Sequence, residues 1–299
     1  MTAALLAAYA AVAGFGGPAV LRRSWLARVP AIAITLWLTL AASWVVATTL
    51  AALTLAVPSL LTWRAAGGHP IPAVSQIPGA LVAGVLLAAV VMLRTGWCLA
   101  SDLAAAWRQQ RDHAAFLAAA GHPDRALEAV VLDDDVPAAY SLPCGRHRTV
   151  VSAATVTLLS SGQLRAVLAH ERAHLRGHHQ LALTAARALA RAFPAVPLLA
   201  RVAGEAAVLA EMAADDAAAR GHDREDLAAA LVILGRASAR TTALTAGGPA
   251  ALARIDRLLA PPAHRALPAK AAGIGALAIA AATTCLPLIA TACDLATRR

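Results

Sequence analysis

Two short runs hold the residues whose types and spacing can do chemistry: His170-Glu171-Arg172-Ala173-His174, and Glu211-Met212-Ala213-Ala214-Asp215 some forty positions later. On an α-helix, positions i and i+4 project from one face, so both imidazoles can reach a single ion. Their nitrogens would ligate zinc at about 2.0–2.1 Å. Glu171 sits one residue round from the first histidine. There it can touch a water at the ion without ligating the metal, take its proton, and later pass that proton to a leaving amine. A solvated helix with incidental histidines would read differently. Here Val167, Leu168 and Ala169 precede the pair and bury that part of the helix, a costly place for unpaired polar side chains.

A catalytic zinc needs a third protein ligand and an open fourth position. Glu211 and Asp215 share a helical face, and their distance along the chain suits a helix–turn–helix return. We assign Glu211 as the third ligand. Asp215 would accept a hydrogen bond from a ligand histidine and so fix its tautomer and ring orientation. Glu205 is the rival ligand on a different face, and Asp216 the fallback for the orienting role. The bland alternative is that these acids merely solvate an Ala-rich helix; beside the histidine pair it is the weaker reading.

The elements that must position these residues follow from local signals. Ser160 with Gln163 three positions later is a capping-box signature. It opens a helix expected from Gly162 to about Phe193, where Pro194 and Pro197 stop it. Further helices are expected over 198–219, 224–239 and 250–259, and an earlier one over 101–120, broken at Gly121, His122 and Pro123. Residues 137–156 read as a hairpin turning at Pro143-Cys144-Gly145. His178 continues the face of His170 and His174, and His179 follows it. Without further acidic partners on that helix, both read as surface or cap histidines. His222 is a candidate oxyanion donor.

The remainder of the chain belongs to a bilayer. Of 299 residues, 59% are hydrophobic and only 14% charged, which excludes a disordered chain. Residues 1–21, 29–63, 65–93 and 271–293 contain no Asp, Glu, Lys or Arg. A spanning helix needs roughly 20 apolar residues, so helices are expected near 3–21, 31–56, 78–97 and 271–292. Pro30 and Pro58 mark the second one's limits, and Gly16, Gly17 and Pro18 interrupt the first. Arg22, Arg23 and Arg28 in the first loop, against Arg64 alone in the second, put the N terminus outside and the segment 98–270 in the cytoplasm. The net charge of +9 then reflects cytoplasmic-loop bias. No basic stripe interleaved with aromatics accompanies it, so nucleic-acid binding is not expected. Four cysteines fall far short of a disulfide scaffold. The fold class is therefore mostly α: a multi-pass membrane protein with three spans in 1–97, a cytoplasmic zincin-like domain over 98–270 with a small β-hairpin, and a fourth span with a short tail in 271–299.

The run Leu164-Arg165-Ala166-Val167-Leu168-Ala169-His170-Glu171 resembles the active-site helix of the gluzincin membrane metallopeptidases, and the later Glu-x-x-Ala-Asp resembles their third-ligand motif. Three helices before the zinc domain and one after it resemble the BlaR/MecR-type antirepressor peptidases, which also carry a hydrophobic stretch like that at 193–199. HtpX-like quality-control proteases are the competing branch. The chain departs from the antirepressors in ending at Arg299 without their extracellular penicillin-binding domain, so antibiotic sensing is not expected. The resemblance implies a zinc endopeptidase acting on a cytosolic or membrane-proximal protein, for instance a transcriptional repressor. It also implies an edge strand beside the active-site helix that pairs with extended substrate, a role for which the hairpin is the candidate; Tyr140 and Ser141 are its most exposed-looking polar residues. A non-catalytic membrane signalling protein that keeps the zinc fold is the alternative from another class.

Overall fold

The computed structural model describes residues 2–21, 26–65, 79–143, 148–241 and 249–260. These are mostly helical, with one small sheet. The expected fourth span, 271–292, lies outside the described residues.

The N-terminal run is helical throughout: α1 (Thr2–Ala11), a π-helical turn (Val12–Gly16) and α2 (Gly17–Leu21). The π turn coincides with the glycines that interrupt the apolar run, and such turns absorb an extra residue without ending the helix. A long α3 (Pro30–Ala65) follows, and its backbone stays helical through Pro58. The third apolar helix does not stop at the expected boundary near 97. One helix, α4 (Gly79–Ala120), runs from the apolar segment straight into the polar region, because no proline interrupts it. Among the described residues, three helical stretches are long and apolar enough to cross a membrane: Ala3–Leu21, Pro30–Thr54 and Gly79–Ala120.

The sheet holds β1 (Gly121–Asp124), β2 (Ala129–Leu132), β3 (Ala139–Leu142) and β4 (Arg148–Ser152), in the order β1-β2-β4-β3. The expected hairpin is present in part, as β3 against β4, antiparallel, with Tyr140 opposite Val150. Residues 153–156, expected in its second strand, instead open α5 behind the Ser152 cap, and the Cys144-Gly145 part of the expected turn lies outside the described residues. A parallel β2–β4 pair and an antiparallel β1–β2 pair extend it. Among the described residues, this order leaves β3 with a free edge.

Five helices follow: α5 (Ala153–Leu158), α6 (Ser161–Arg176), α7 (His179–Ala192), α8 (Pro197–Ala218) and α9 (Arg224–Thr241), with α10 (Pro249–Leu259) after them. The single helix expected over 162–193 is two. His178 adopts the left-handed conformation at φ 49°, which ends α6 after Arg176 and starts α7 in a new direction. At the other end of α6 the capping box forms in full, Ser160 Oγ accepting from Gln163 N and the Gln163 side chain accepting from Ser160 N.

Packing explains where α6 lies. Leu164, Val167 and Leu168 bury against Val151 and Ala129 of the sheet and Ala230 of α9. Ala166 and Ala169 bury against Leu227, Ala228 and Leu258. Each large aliphatic side chain so buried contributes about 1.5–3 kcal/mol. The helical pair α7–α8 packs the other way, into the apolar helices: Leu198, Leu199 and Val202 share a core with Trp37, Ala41 and Trp44 of α3. The turn between α7 and α8 lies against them, with the Phe193 ring 5.3 Å from that of Trp44. Gly14 is small for this reason, since a Cβ there would meet Trp44 at 2.9 Å and Val196 at 3.2 Å. Arg191 pins α7 to α4 through Asp102 at 2.7 Å and the Cys98 carbonyl at 3.0 Å. The helix that will bear the acidic residues is thus anchored at one end among the apolar spans.

Candidate metal centre

α6 carries His170, Glu171 and His174 on its last two turns, and α8 brings Glu211 and Asp215 across from its C-terminal half. Nε2 of His170 and Nε2 of His174 lie 3.1 Å apart. Glu211 places Oε2 3.5 Å from His170 Nε2 and Oε1 3.5 Å from His174 Nε2. Bonds of about 2.0–2.2 Å from a tetrahedral metal set its ligand atoms about 3.3–3.6 Å apart. The two sides to Glu211 fall in that range and the side between the imidazoles is slightly shorter, so this triangle is close to the dimensions of a metal cage. Among the described residues, His170, His174 and Glu211 form the one group of three or more with ligand-like proximity. Two imidazole nitrogens facing each other this closely also need a proton or a cation between them, which a shared divalent ion would provide.

Asp215 is 1% exposed and sets an oxygen 2.9 Å from His170 Nδ1, on the side of the ring away from the triangle. Glu205, the rival ligand, lies outside the cluster. Asp216, the fallback, is held elsewhere by Arg257, at 2.6 and 2.8 Å. His222 contacts the Ala218 carbonyl at 3.3 Å and does not line the cleft described below.

Two residues that the motif reading passed over complete the surroundings. Arg254, from α10, contacts Glu211 Oε2 at 2.8 Å and grips Asp215 with two further nitrogens at 2.8 and 2.9 Å. His179 is buried rather than superficial, and its Nδ1 lies 3.0 Å from His174 Nδ1. The left-handed turn at His178 makes this possible by swinging His179 back toward α6. Gly177 leaves room for the ring, since a Cβ there would come within 2.4 Å of His179 Nε2.

The electrostatics follow from these contacts. Burial alone would lower the pKa of His170, but the Asp215 and Glu211 carboxylates outweigh it and hold the metal-free group up at about 9. Burial and the neighbouring His170 charge push His174 down to about 4. Burial also lowers His179. For Glu211, burial would raise the pKa; contact with His170 and the Arg254 cation instead keep it below the usual carboxylate range. Asp215 is lowered in the same way, by Arg254 and His170. Glu171 goes the other way: burial pushes it up to about 7, against the pull of His170 and a hydrogen bond from Ser141. A carboxyl poised near neutrality is suited to taking and returning a proton.

A cleft of about 470 Å³ opens over His170, Glu171, His174 and Glu211. One wall is β3, through Ala139, Tyr140 and Ser141; the opposite walls are α4, through Leu103 and Trp107, and α7, through Leu181. Tyr140 is fixed by His113 of α4 at 2.7 Å. The free edge of the sheet therefore faces the cluster.

Residues 102–244 match the model of Peptidase family M48. Neither a curated protein nor a solved structure matches the chain. The M48 match takes in the whole His–His–Glu cluster and its cleft wall at β3, and the coincidence of the two supports a metallopeptidase.

Proposed function

We propose that the chain is an integral membrane zinc endopeptidase that hydrolyses peptide bonds of a cytosolic or membrane-proximal protein, in regulatory signalling. His170, His174 and Glu211 hold the metal, Glu171 is the catalytic base and acid, and Asp215 orients His170. Three spans in 1–97 and one in 271–299 anchor a cytoplasm-facing domain over 98–270. The observation that carries the reading is the convergence of two Nε2 atoms and one carboxylate at 3.1–3.5 Å, with a half-buried Glu171 beside them and a sheet edge across the cleft.

Bound there, zinc would supply the Lewis acid that polarises a carbonyl and acidifies a water. The residues do the rest. An extended peptide pairs with the outer edge of β3, which holds its backbone in register without reading side chains. Leu103, Trp107 and Leu181 give that peptide an apolar wall. Glu171 removes a proton from the attacking water as its oxygen bonds to the carbonyl carbon. It then returns the proton to the nitrogen as the C–N bond breaks, so one water is consumed per bond cut.

The test is purified full-length chain in lipid nanodiscs, assayed for zinc by elemental analysis and for cleavage of a fluorogenic peptide mixture. About one zinc per chain and chelator-sensitive cleavage are expected. His174→Ala should lose the metal. A wild-type chain that folds and yet holds no stoichiometric zinc sinks the proposal.

A further inference from the structure

A second cavity, of about 450 Å³, lies behind the metal centre, between residues 28–32 ahead of and opening α3, the end of α6 and the end of α8. We propose that it binds a phosphate-bearing anion, the headgroup of an acidic lipid at the membrane boundary. This inference is independent of whether the metal centre cuts peptides.

Three arginines line the cavity: Arg28, Arg176 and Arg220. All three are exposed, and none has an acidic partner among the described residues. The cavity's one carboxylate, Asp216, is already neutralised by the two-pronged grip of Arg257. A basic side chain at the end of α6 or α8 suits the negative end of that helix. That account covers Arg176 and Arg220, but it does not cover Arg28, which precedes α3 and adds its charge to the positive end of that helix. Guanidinium groups converging on one hollow match the tetrahedral, multiply accepting oxygens of a phosphate better than any neutral ligand.

Location identifies the source. The apolar stretch of α3 begins at Pro30, which itself lines the cavity. The hollow therefore sits where hydrocarbon gives way to headgroups. Basic pockets at that depth beside spanning helices are suited to anionic lipids. Inorganic phosphate offers the same chemistry from solution, and the experiment separates the two.

Full-length chain in detergent is offered equal amounts of phosphatidylglycerol and phosphatidylcholine, and retained lipid is counted by native mass spectrometry. Separately, its melting temperature is followed in inorganic phosphate against chloride at equal ionic strength. Phosphatidylglycerol should be retained at least fivefold over phosphatidylcholine. Each of Arg28→Gln, Arg176→Gln and Arg220→Gln should weaken that retention about fivefold. Arg165→Gln, an exposed arginine on α6 outside the cavity, should leave it unchanged. If Arg176→Gln does not fold, Arg28→Gln and Arg220→Gln alone decide, since both lie outside the α-helices. A phosphate-induced melting shift that the arginine variants abolish, with no phosphatidylglycerol preference, keeps the anion site and overturns the lipid source. No preference and no shift, or an equal loss in Arg165→Gln, overturns the site itself.

Discussion

Arg254 reaches Glu211 at 2.8 Å while gripping Asp215 with its other nitrogens, so one guanidinium ties a metal-ligand candidate to the carboxylate behind His170. Removing it would leave the buried Asp215 and the half-buried Glu211 carboxylates without their shared guanidinium, and the pKa of each would rise. Arg254→Ala should lower zinc affinity by about 10–100-fold, read by chelator competition. Arg254→Lys should recover only part of this, because a point charge cannot span both acids as the planar fork does.

Glu171 separates binding from chemistry. It is not in the ligand triangle, so Glu171→Gln should keep zinc stoichiometric while peptide cleavage falls by about 10²–10⁴-fold. Parallel elemental analysis and turnover on the same preparation check this. Cleavage that survives the change would assign the proton to another group.

The His174–His179 contact fixes a tautomer. For His174 Nε2 to face a metal it must be unprotonated, so Nδ1 carries the hydrogen and donates it to His179 Nδ1, 3.0 Å away. His179→Ala should therefore weaken zinc binding about tenfold or more without removing a ligand. Gly177→Ala should do likewise, since its new methyl displaces the His179 ring. Zinc titrations of the two variants, run together, check both.

The metal-stripped chain should respond to pH through His170. Its folded pKa, about 9, stands above the usual 6.5. Its protonated form therefore stabilises the stripped fold fully below about 6.5, and that contribution disappears as pH rises through about 9. Zinc must displace the same proton, so its apparent affinity should fall about tenfold for each pH unit below about 9. Thermal melts of the stripped chain and zinc titrations across pH 6–10 should run in opposite directions.

How α6 is held depends on its cap. Ser160→Ala removes one half of the capping box and should cost about 1 kcal/mol, seen as a lower melting temperature. Zinc content at saturating metal should not change.

Much of this arrangement is legible in the residues. The i, i+4 histidines, the capping box and the distance to Glu211 are local patterns, and the structure brings His170, His174, Glu211 and Asp215 together. The short hairpin reads out of its turn residues and its Val- and Thr-rich second strand, though that strand gives way to α5 after Ser152. What is missed is non-local or depends on one dihedral angle. Arg254 acts from α10, with no pattern linking it to α8. His179 looks superficial while α6 and α7 are taken as one helix; the left-handed residue before it resets the register. The parallel β2–β4 pair joins strands of four and five residues whose partners only tertiary packing selects. The end of the third apolar helix is misplaced because charge marks where lipid stops, whereas a helix continues wherever its own hydrogen bonds do.

That continuity has a mechanical meaning. α4 is a rod of 42 residues, roughly 63 Å at 1.5 Å per residue, with one end apolar enough to cross a membrane and Leu103 and Trp107 on the wall of the cleft. Spanning helices adjust to a thinner or thicker bilayer by tilting. A rod with no proline joint would carry a tilt of its apolar end, once in a bilayer, along to the aperture through which a peptide would enter. In a chain anchored as proposed, the width of that aperture would follow the thickness of the surrounding lipid.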